Sequence, residues 1–308
     1  MEGRKILILL IVVFSVILSS FSYYIYQVLK TPNILVQQED AYLHIYPGTT
    51  FKQLQDTLYQ RGMVNDLVSF SMLAKYKGYD TTIKPGRYLL KSNMNNTEAI
   101  NLLRSGNQAP VNITFNNTRL LSEISEKLCA NIALTPDQLA AIMADSGLIA
   151  SYGFNKENLI SMFIPNTYQV YWDISAKGLM DRMYREYQNF WDDEKRSKAD
   201  SLGLTPKEVS VLASIVYAES QQHADELRRI AGLYLNRLDK NMALQADPTL
   251  IFALGDFSIK RVLNEHKEID SPYNTYKYTG LPPGPIRSPS IAAIMGVLDP
   301  EKHNYLYM

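Results

Sequence analysis

The longest run of apolar positions comes first. From Ile6 to Ile25 only Ser15, Ser19, Ser20 and Ser22 interrupt it, and nothing in it is charged. A bilayer span needs about 20 such residues. Arg4 and Lys5 stand before the run and Lys30 after it, a bias that predicts the N-terminus inside and everything past residue 30 outside the cytoplasm. A cleaved signal peptide has a shorter apolar core and small residues at its cleavage site. Ser19-Ser20-Phe21-Ser22 fits that pattern poorly, so the reading is an uncleaved single-pass anchor over residues 6–29, with residues 1–5 as a cytoplasmic tail.

After the anchor the pattern breaks into short elements. Residues 30–40, opened by Pro32, read as a polar tether. Tyr42 to Tyr46 alternates as a strand does, and Pro47-Gly48 turns the chain. Thr49 or Thr50 then caps a helix to about Arg61, stopped by Gly62. A helix over Leu67–Lys77, a strand over Arg87–Leu90 and a helix over Thr97–Arg104, ended by Gly106, complete a small α+β module at 41–108. Val111 to Phe115 opens a second strand, turn and helix segment at 109–155, with Thr118 as the expected cap for the helix of Leu120, Leu121, Ile124 and Leu128. Thr135-Pro136 is a further N-cap followed by Pro at the first helical position.

From about Leu159 the helices lengthen. One is predicted from Ala176 to Ala199, with Leu179, Met183, Tyr187 and Phe190 on a stripe. Others follow over Pro206–Ser220 and Ala224–Asp239. Beyond Leu244 the chain is rich in proline and reads as loop, with a last strand at Tyr305–Tyr307. The expected fold class is α+β: a membrane helix, a small module, and a mixed helix and strand domain over 156–308.

Composition narrows the classes of function. Lys plus Arg and Asp plus Glu both number 31, so the chain is formally neutral and has no electrostatic footprint for nucleic acid. A single cysteine, Cys129, excludes a disulfide within the chain. His44, His223, His266 and His303 do not pair with Cys or one another at metal-ligand spacing. His223, Asp225 and Glu226 read as a solvated helix start. The 21 tyrosines suit core filling and sugar stacking alike.

One helix carries candidate chemistry. Thr205, Pro206 and Glu208 form a capping box. Val209, Leu212, Ala213 and Val216 make an apolar stripe, and at about 100° per residue Glu219 falls at its edge. The last turn of a helix disfavours negative charge, and a dry setting favours the neutral acid. A carboxyl group kept protonated near neutral pH can protonate a leaving oxygen. The helix alone does not separate this from an ordinary Glu at a helix end. A glycosidase that uses water needs a second carboxylate. Asp247, in Gln245-Ala246-Asp247-Pro248-Thr249, is the best candidate, and a capping or turn aspartate is the plain alternative. Ser271-Pro272-Tyr273-Asn274-Thr275-Tyr276 mixes rings, amide and hydroxyls, which suits a sugar and equally a structural loop.

Taken in order, these segments resemble a known family. Phe163-Ile164-Pro165-Asn166-Thr167-Tyr168, Ala213-Ser214-Ile215-Val216-Tyr217-Ala218-Glu219, Asn236-Arg237-Leu238, Leu244 to Thr249, Tyr273 to Tyr276, and Gly280-Leu281-Pro282-Pro283-Gly284-Pro285-Ile286 are similar to the motifs of the endolytic murein transglycosylases, MltG or YceG-like. The resemblance implies a bitopic protein of the inner membrane with a LysM-like module. It implies cleavage of MurNAc–GlcNAc β-1,4 bonds in nascent peptidoglycan strands, leaving 1,6-anhydro-MurNAc ends and terminating elongation. Glu219 takes the place of the catalytic glutamate. It serves first as acid and then as base for the sugar's own C6 hydroxyl. Gln245, Asp247, Tyr273, Asn274, Thr275 and Tyr276 are implied to bind and position the substrate. The resemblance implies no metal or other cofactor, and peptidoglycan synthases as candidate partners.

Three departures stand out. Tyr217 occupies a place where some relatives have a second glutamate, and Asn166 a place where many have aspartate. Relatives also run on past Asn304-Tyr305-Leu306-Tyr307, so the resemblance implies a catalytic domain incomplete at its C-terminus. Two rival readings remain open at this point: a non-catalytic peptidoglycan-binding scaffold, and a water-using muramidase with Glu219 and Asp247 as a pair.

Overall fold

A computed structural model describes residues 2–36, 40–220 and 224–307. His223 therefore lies outside the described residues. The chain forms two compact units, one of residues 1–111 with 170–173, the other of residues 112–169 with 174–308. The stretch 109–155, set apart on sequence, falls within the second unit from Asn112 onward.

The first unit begins with α1 (Glu2–Lys30). Among the described residues it is the one helix long and apolar enough to cross a membrane, and none of its apolar stretch is buried. Next come β1 (Asp40–Ile45), α2 (Phe51–Gln60), α3 (Leu67–Tyr76), β2 (Gly86–Lys91) and α4 (Asn96–Ser105). β1 and β2 pair antiparallel, Leu43 opposite Tyr88. Thr50 with Gln53 and Asn95 with Glu98 close reciprocal caps that satisfy free amides at the starts of α2 and α4. Leu43, Leu54, Phe70, Tyr88 and Ile100 meet in one core. The expected tether is not free over its first part. Ile34 is buried in that core, its amide donates to the Met94 carbonyl, and Asn33 Nδ2 donates to Asn96 Oδ1 at 2.6 Å.

The second unit opens with β3 (Val111–Phe115), α5 (Leu121–Cys129), α6 (Pro136–Met143) and α7 (Ser146–Ser151). β4 (Asn166–Val170), which sequence analysis missed, pairs with β3, and Asn166 is exposed on it. Thr118 does not cap α5. It is fully buried, its Oγ1 has no protein partner, and its carbonyl accepts from the Ser288 amide. The expected long helix is two, α8 (Ala176–Phe190) and α9 (Asp193–Ser201). Trp191 turns inward between them and Asp192 caps the second by accepting from the Lys195 amide.

α10 (Pro206–Glu219) follows, then α11 (Ala224–Asp239), α12 (Asp247–Leu254) and α13 (Ile291–Leu298). The last two lie where loop was expected. Pro248 falls in the first turn of α12, where a missing N–H costs nothing, and Ser290 caps α13. Every residue of α10 from Val209 to Val216 is buried, so α10 is the unit's central helix rather than a helix with one apolar stripe. Its buried serines are satisfied: Ser210 Oγ donates to the Pro206 carbonyl, and Ser214 Oγ donates to Val211 O and accepts from the Ile286 amide. Tyr305–Tyr307 forms no strand. It runs as an extended segment along α11, where Asn236 Nδ2 donates to the carbonyls of His303 and Tyr305.

Candidate active site

Glu219 is the last residue of the buried helix α10, and that position governs its chemistry. The apolar helix fixes the backbone, while the side chain leaves the core at its edge and is half-buried. Tyr234, on the inward face of α11 and 1% exposed, donates its Oη to Glu219 Oε1 at 2.9 Å. Burial raises the Glu219 pKa above its ordinary value. The Tyr234 hydrogen bond pulls it back, and the nearby charge of Asp247 pushes it up again. Burial also raises Tyr234, so that phenol stays a donor across the working pH range.

Asp247 is the first residue of α12, where the helix dipole favours a carboxylate. It is exposed, and Tyr276 Oη donates to its Oδ1 at 2.5 Å. Burial, then the Asp247 hydrogen bond and charge, raise the Tyr276 pKa, and Glu219 adds to this. Glu219, Tyr234, Asp247 and Tyr276 are thus one interacting group, drawn from α10, α11, α12 and the 271–276 loop.

The other predicted site residues divide. Gln245 is exposed with φ of 55°, and its Oε1 accepts from Arg237 Nη1. Tyr273 packs on Phe252 with centroids 4.8 Å apart, and burial pushes its phenol up to about 12. Asn274 and Thr275, expected to position substrate, are both buried with their polar atoms engaged inside the protein. Asn274 Nδ2 donates to the Lys267 and Ile269 carbonyls, and its Oδ1 accepts the amides of Tyr276 and Lys277. Thr275 Oγ1 accepts from the Ala246 amide and pairs with Thr249 Oγ1, and its carbonyl accepts from the Gln245 amide. They bind the 271–276 loop to the start of α12.

Two supports were not assigned these roles from sequence. Nothing in the spacing of Tyr234 marks it in the sequence. Arg237, 4% exposed, donates to the carbonyls of Ala243, Leu244 and Leu306 as well as to Gln245. It ties the approach to Asp247 to the extended segment after α13. The Asn236-Arg237 pair is visible in the sequence, but its carbonyl partners are remote. Gly284 also has a physical reason. A Cβ there would fall 1.9 Å from the Glu157 carbonyl oxygen, so only glycine lets the two backbones approach. Tyr217 points elsewhere, with the buried Arg287 guanidinium 4.6 Å over its ring.

The fold and this cluster define a helical domain with a half-buried acid at the end of its central helix. Residues 43–308 match the YceG-like family, and the chain belongs to that family. It is 29% identical over 281 residues to the endolytic murein transglycosylase of Bacillus subtilis strain 168, covering 86% of this chain and 77% of that protein. It is 28% identical to the endolytic murein transglycosylase of Streptococcus pneumoniae serotype 2, covering 98% of this chain but 60% of that protein's length. A crystal structure of a yceG-like protein from Listeria monocytogenes superposes with a TM-score of 0.58 at 28% identity, covering 87% of this chain and 93% of that one.

Proposed function

We propose that this protein is a membrane-anchored murein transglycosylase that cuts MurNAc–GlcNAc β-1,4 bonds with Glu219 as its single acid/base. The observation that carries the reading is the Glu219 environment: a carboxyl group held by a buried helix, with a raised pKa and one phenol donor. The murein transglycosylases among its relatives support the substrate class.

The chemistry balances without water. Protonated Glu219 gives its proton to the glycosidic oxygen as the bond from that oxygen to C1 of MurNAc breaks. The carboxylate left behind accepts the Tyr234 hydrogen bond, which is stronger to the charged form. That carboxylate then takes the proton of the MurNAc C6 hydroxyl as its oxygen bonds to C1, and Glu219 is restored. Positive charge develops at the anomeric centre in between. Asp247, whose Oδ1 accepts from the Tyr276 phenol, is the group suited to offset it. Incubating the protein with uncrosslinked glycan strands and weighing the products by mass spectrometry tests this. Anhydro ends are expected, and reducing ends alone would refute it.

A second reading draws on the influence of Asp247 on Glu219: a muramidase in which the pair activates water. Its products would be reducing ends. In either case the first unit serves the same substrate. Its strand, two helices and strand, in the order β1, α2, α3, β2, support the LysM-like reading of residues 41–108. α1 supports an anchor, and Arg4 and Lys5 before its apolar run favour residues past 30 outside the cytoplasm. Protease added from outside the inner membrane should then digest the C-terminal part, and full protection would rule the topology out. Cutting nascent strands would set the protein beside peptidoglycan synthases.

A further inference from the structure

α3 has an apolar face that its own unit does not cover. Val68, Met72 and Tyr76 follow at intervals of four residues and so share one side of the helix. They are 66%, 53% and 88% exposed, while Phe70, Leu73 and Ala74 fill the core on the other side. Single exposed hydrophobics are ordinary. Three in a line on a ten-residue helix form a patch that calls for a partner.

The neighbouring helix indicates which partner. The end of α1 is built into the first unit: Asn96 Nδ2 donates to the Val28 carbonyl at 3.0 Å, Thr97 Oγ1 donates to the Leu29 carbonyl at 2.9 Å, and both side chains of that turn pack on the core. One turn earlier, Tyr24 Oη reaches Met72 Sδ at 3.8 Å. The depth of that contact follows from helix geometry. Starting at Ile6, about 20 residues at ~1.5 Å each cross the ~30 Å of hydrocarbon by Ile25. Tyr23, Tyr24 and Tyr26 then stand where an aromatic belt marks the boundary between acyl chains and headgroups. Met72, in contact with Tyr24, stands at the same level. Beside it a groove of about 190 Å³ is lined by Tyr24, Gln27, Thr31, Asn65 and the Asp66 carboxylate. Lys75, exposed and three residues past Met72, adds a cation near the stripe.

We propose that the Val68–Met72–Tyr76 face of α3 seats in the bilayer interface beside α1, so that the first unit rests on the lipid surface instead of standing off on a flexible tether. The inference relies on α1 spanning the membrane. The occupant is lipid, because the stripe continues the lipid-facing surface of α1 at the depth its tyrosines set. Such a seat holds the unit at a fixed height over the membrane.

The full chain in nanodiscs of phosphatidylcholine and phosphatidylglycerol tests this. Met72→Cys, Tyr26→Cys and Val13→Cys variants are each labelled with an environment-sensitive fluorophore; Cys129 is buried and does not compete. Quenchers are carried on lipid near the headgroup, on lipid deep in the chains, or in water as iodide. A label at Met72 should be quenched by the shallow lipid probe to within about two-fold of the label at Tyr26, and shielded from iodide. Iodide quenching at Met72 with no response to lipid would overturn the seat. Shielding from both probes would mean a protein partner, and would overturn it too. If the label at Val13 fails to respond to the deep probe, the spanning reading fails first, and that outcome is distinct from loss of the seat alone.

Discussion

Tyr234 of α11 and Glu219 at the end of α10 are hydrogen-bonded, with the phenol Oη donating to the carboxyl Oε1 at 2.9 Å. The contact sets two opposed influences on one proton. Burial favours the neutral acid that starts the reaction, and the phenol favours the carboxylate that remains after proton transfer.

Replacing Tyr234 by Phe removes only the second influence. The Glu219 pKa then rises further above 4.5. Because the acid step needs the protonated form, the alkaline limb of the rate profile should move up by about one pH unit. That matches a hydrogen bond to a charged group of about 1.5–3 kcal/mol. The rate at the optimum should fall about ten-fold as the carboxylate loses its donor. A pH–rate profile of the variant checks this, and an alkaline limb that stays put or moves down would contradict it.

The raised pKa also links stability to pH. A carboxyl whose folded pKa lies above its unfolded one contributes stability at low pH, which is lost as pH rises through the folded value. Glu219→Gln lacks that liability. The variant should match the wild type in unfolding midpoint near pH 4 and exceed it near pH 8, the gap opening above the ordinary carboxylate value of 4.5. Thermal melts across that range measure it; a gap that opens toward acid would refute the assignment.

Arg237 should act on the site without touching substrate. Arg237→Met leaves the buried carbonyl of Leu244 and the part-buried carbonyls of Ala243 and Leu306 without their donor. At about 1–3 kcal/mol for each buried group left unpaired, a loss of roughly 3 kcal/mol is expected. Lysine should not rescue it, because one ammonium cannot reproduce the guanidinium fork. Urea denaturation midpoints of both variants test this.

Asn274 separates loop building from sugar binding. Asn274→Leu abandons four hydrogen bonds inside the protein and should cost about 2–4 kcal/mol. The fraction that stays folded should keep its KM for glycan strands within about two-fold. A stable variant with a KM raised ten-fold or more would return Asn274 to direct contact with substrate.

What the sequence discloses follows the range of the interactions involved. The caps of α2, α6 and α10 were legible because Thr50, Thr135 and Thr205 act within three residues of themselves. The break between α8 and α9 was hidden, since Trp191 turns in for tertiary reasons inside a run that keeps helical composition. α12 and α13 were masked by Pro248 and Pro289, which break helices in the middle but not at the start. Full burial of α10 was hidden by Ser210 and Ser214, whose hydroxyls are satisfied by its own carbonyls. At the site, the position of Glu219 at the helix edge was readable from periodicity. Its partner Tyr234 was not, because a tyrosine on a buried helix face has the same local pattern whether it fills space or holds an acid.

The central claim is that one carboxyl group does both proton transfers. The direct measurement is a count of anhydro-MurNAc ends released from uncrosslinked glycan strands by equal amounts of folded wild type, Glu219→Gln and Asp247→Asn. Glu219→Gln keeps the shape of the side chain and removes its exchangeable proton, so its yield should fall by roughly 10² to 10⁴, with Asp247→Asn losing distinctly less. Near wild-type anhydro ends from Glu219→Gln would contradict the account, as would a larger loss from Asp247→Asn accompanied by reducing ends from the wild type.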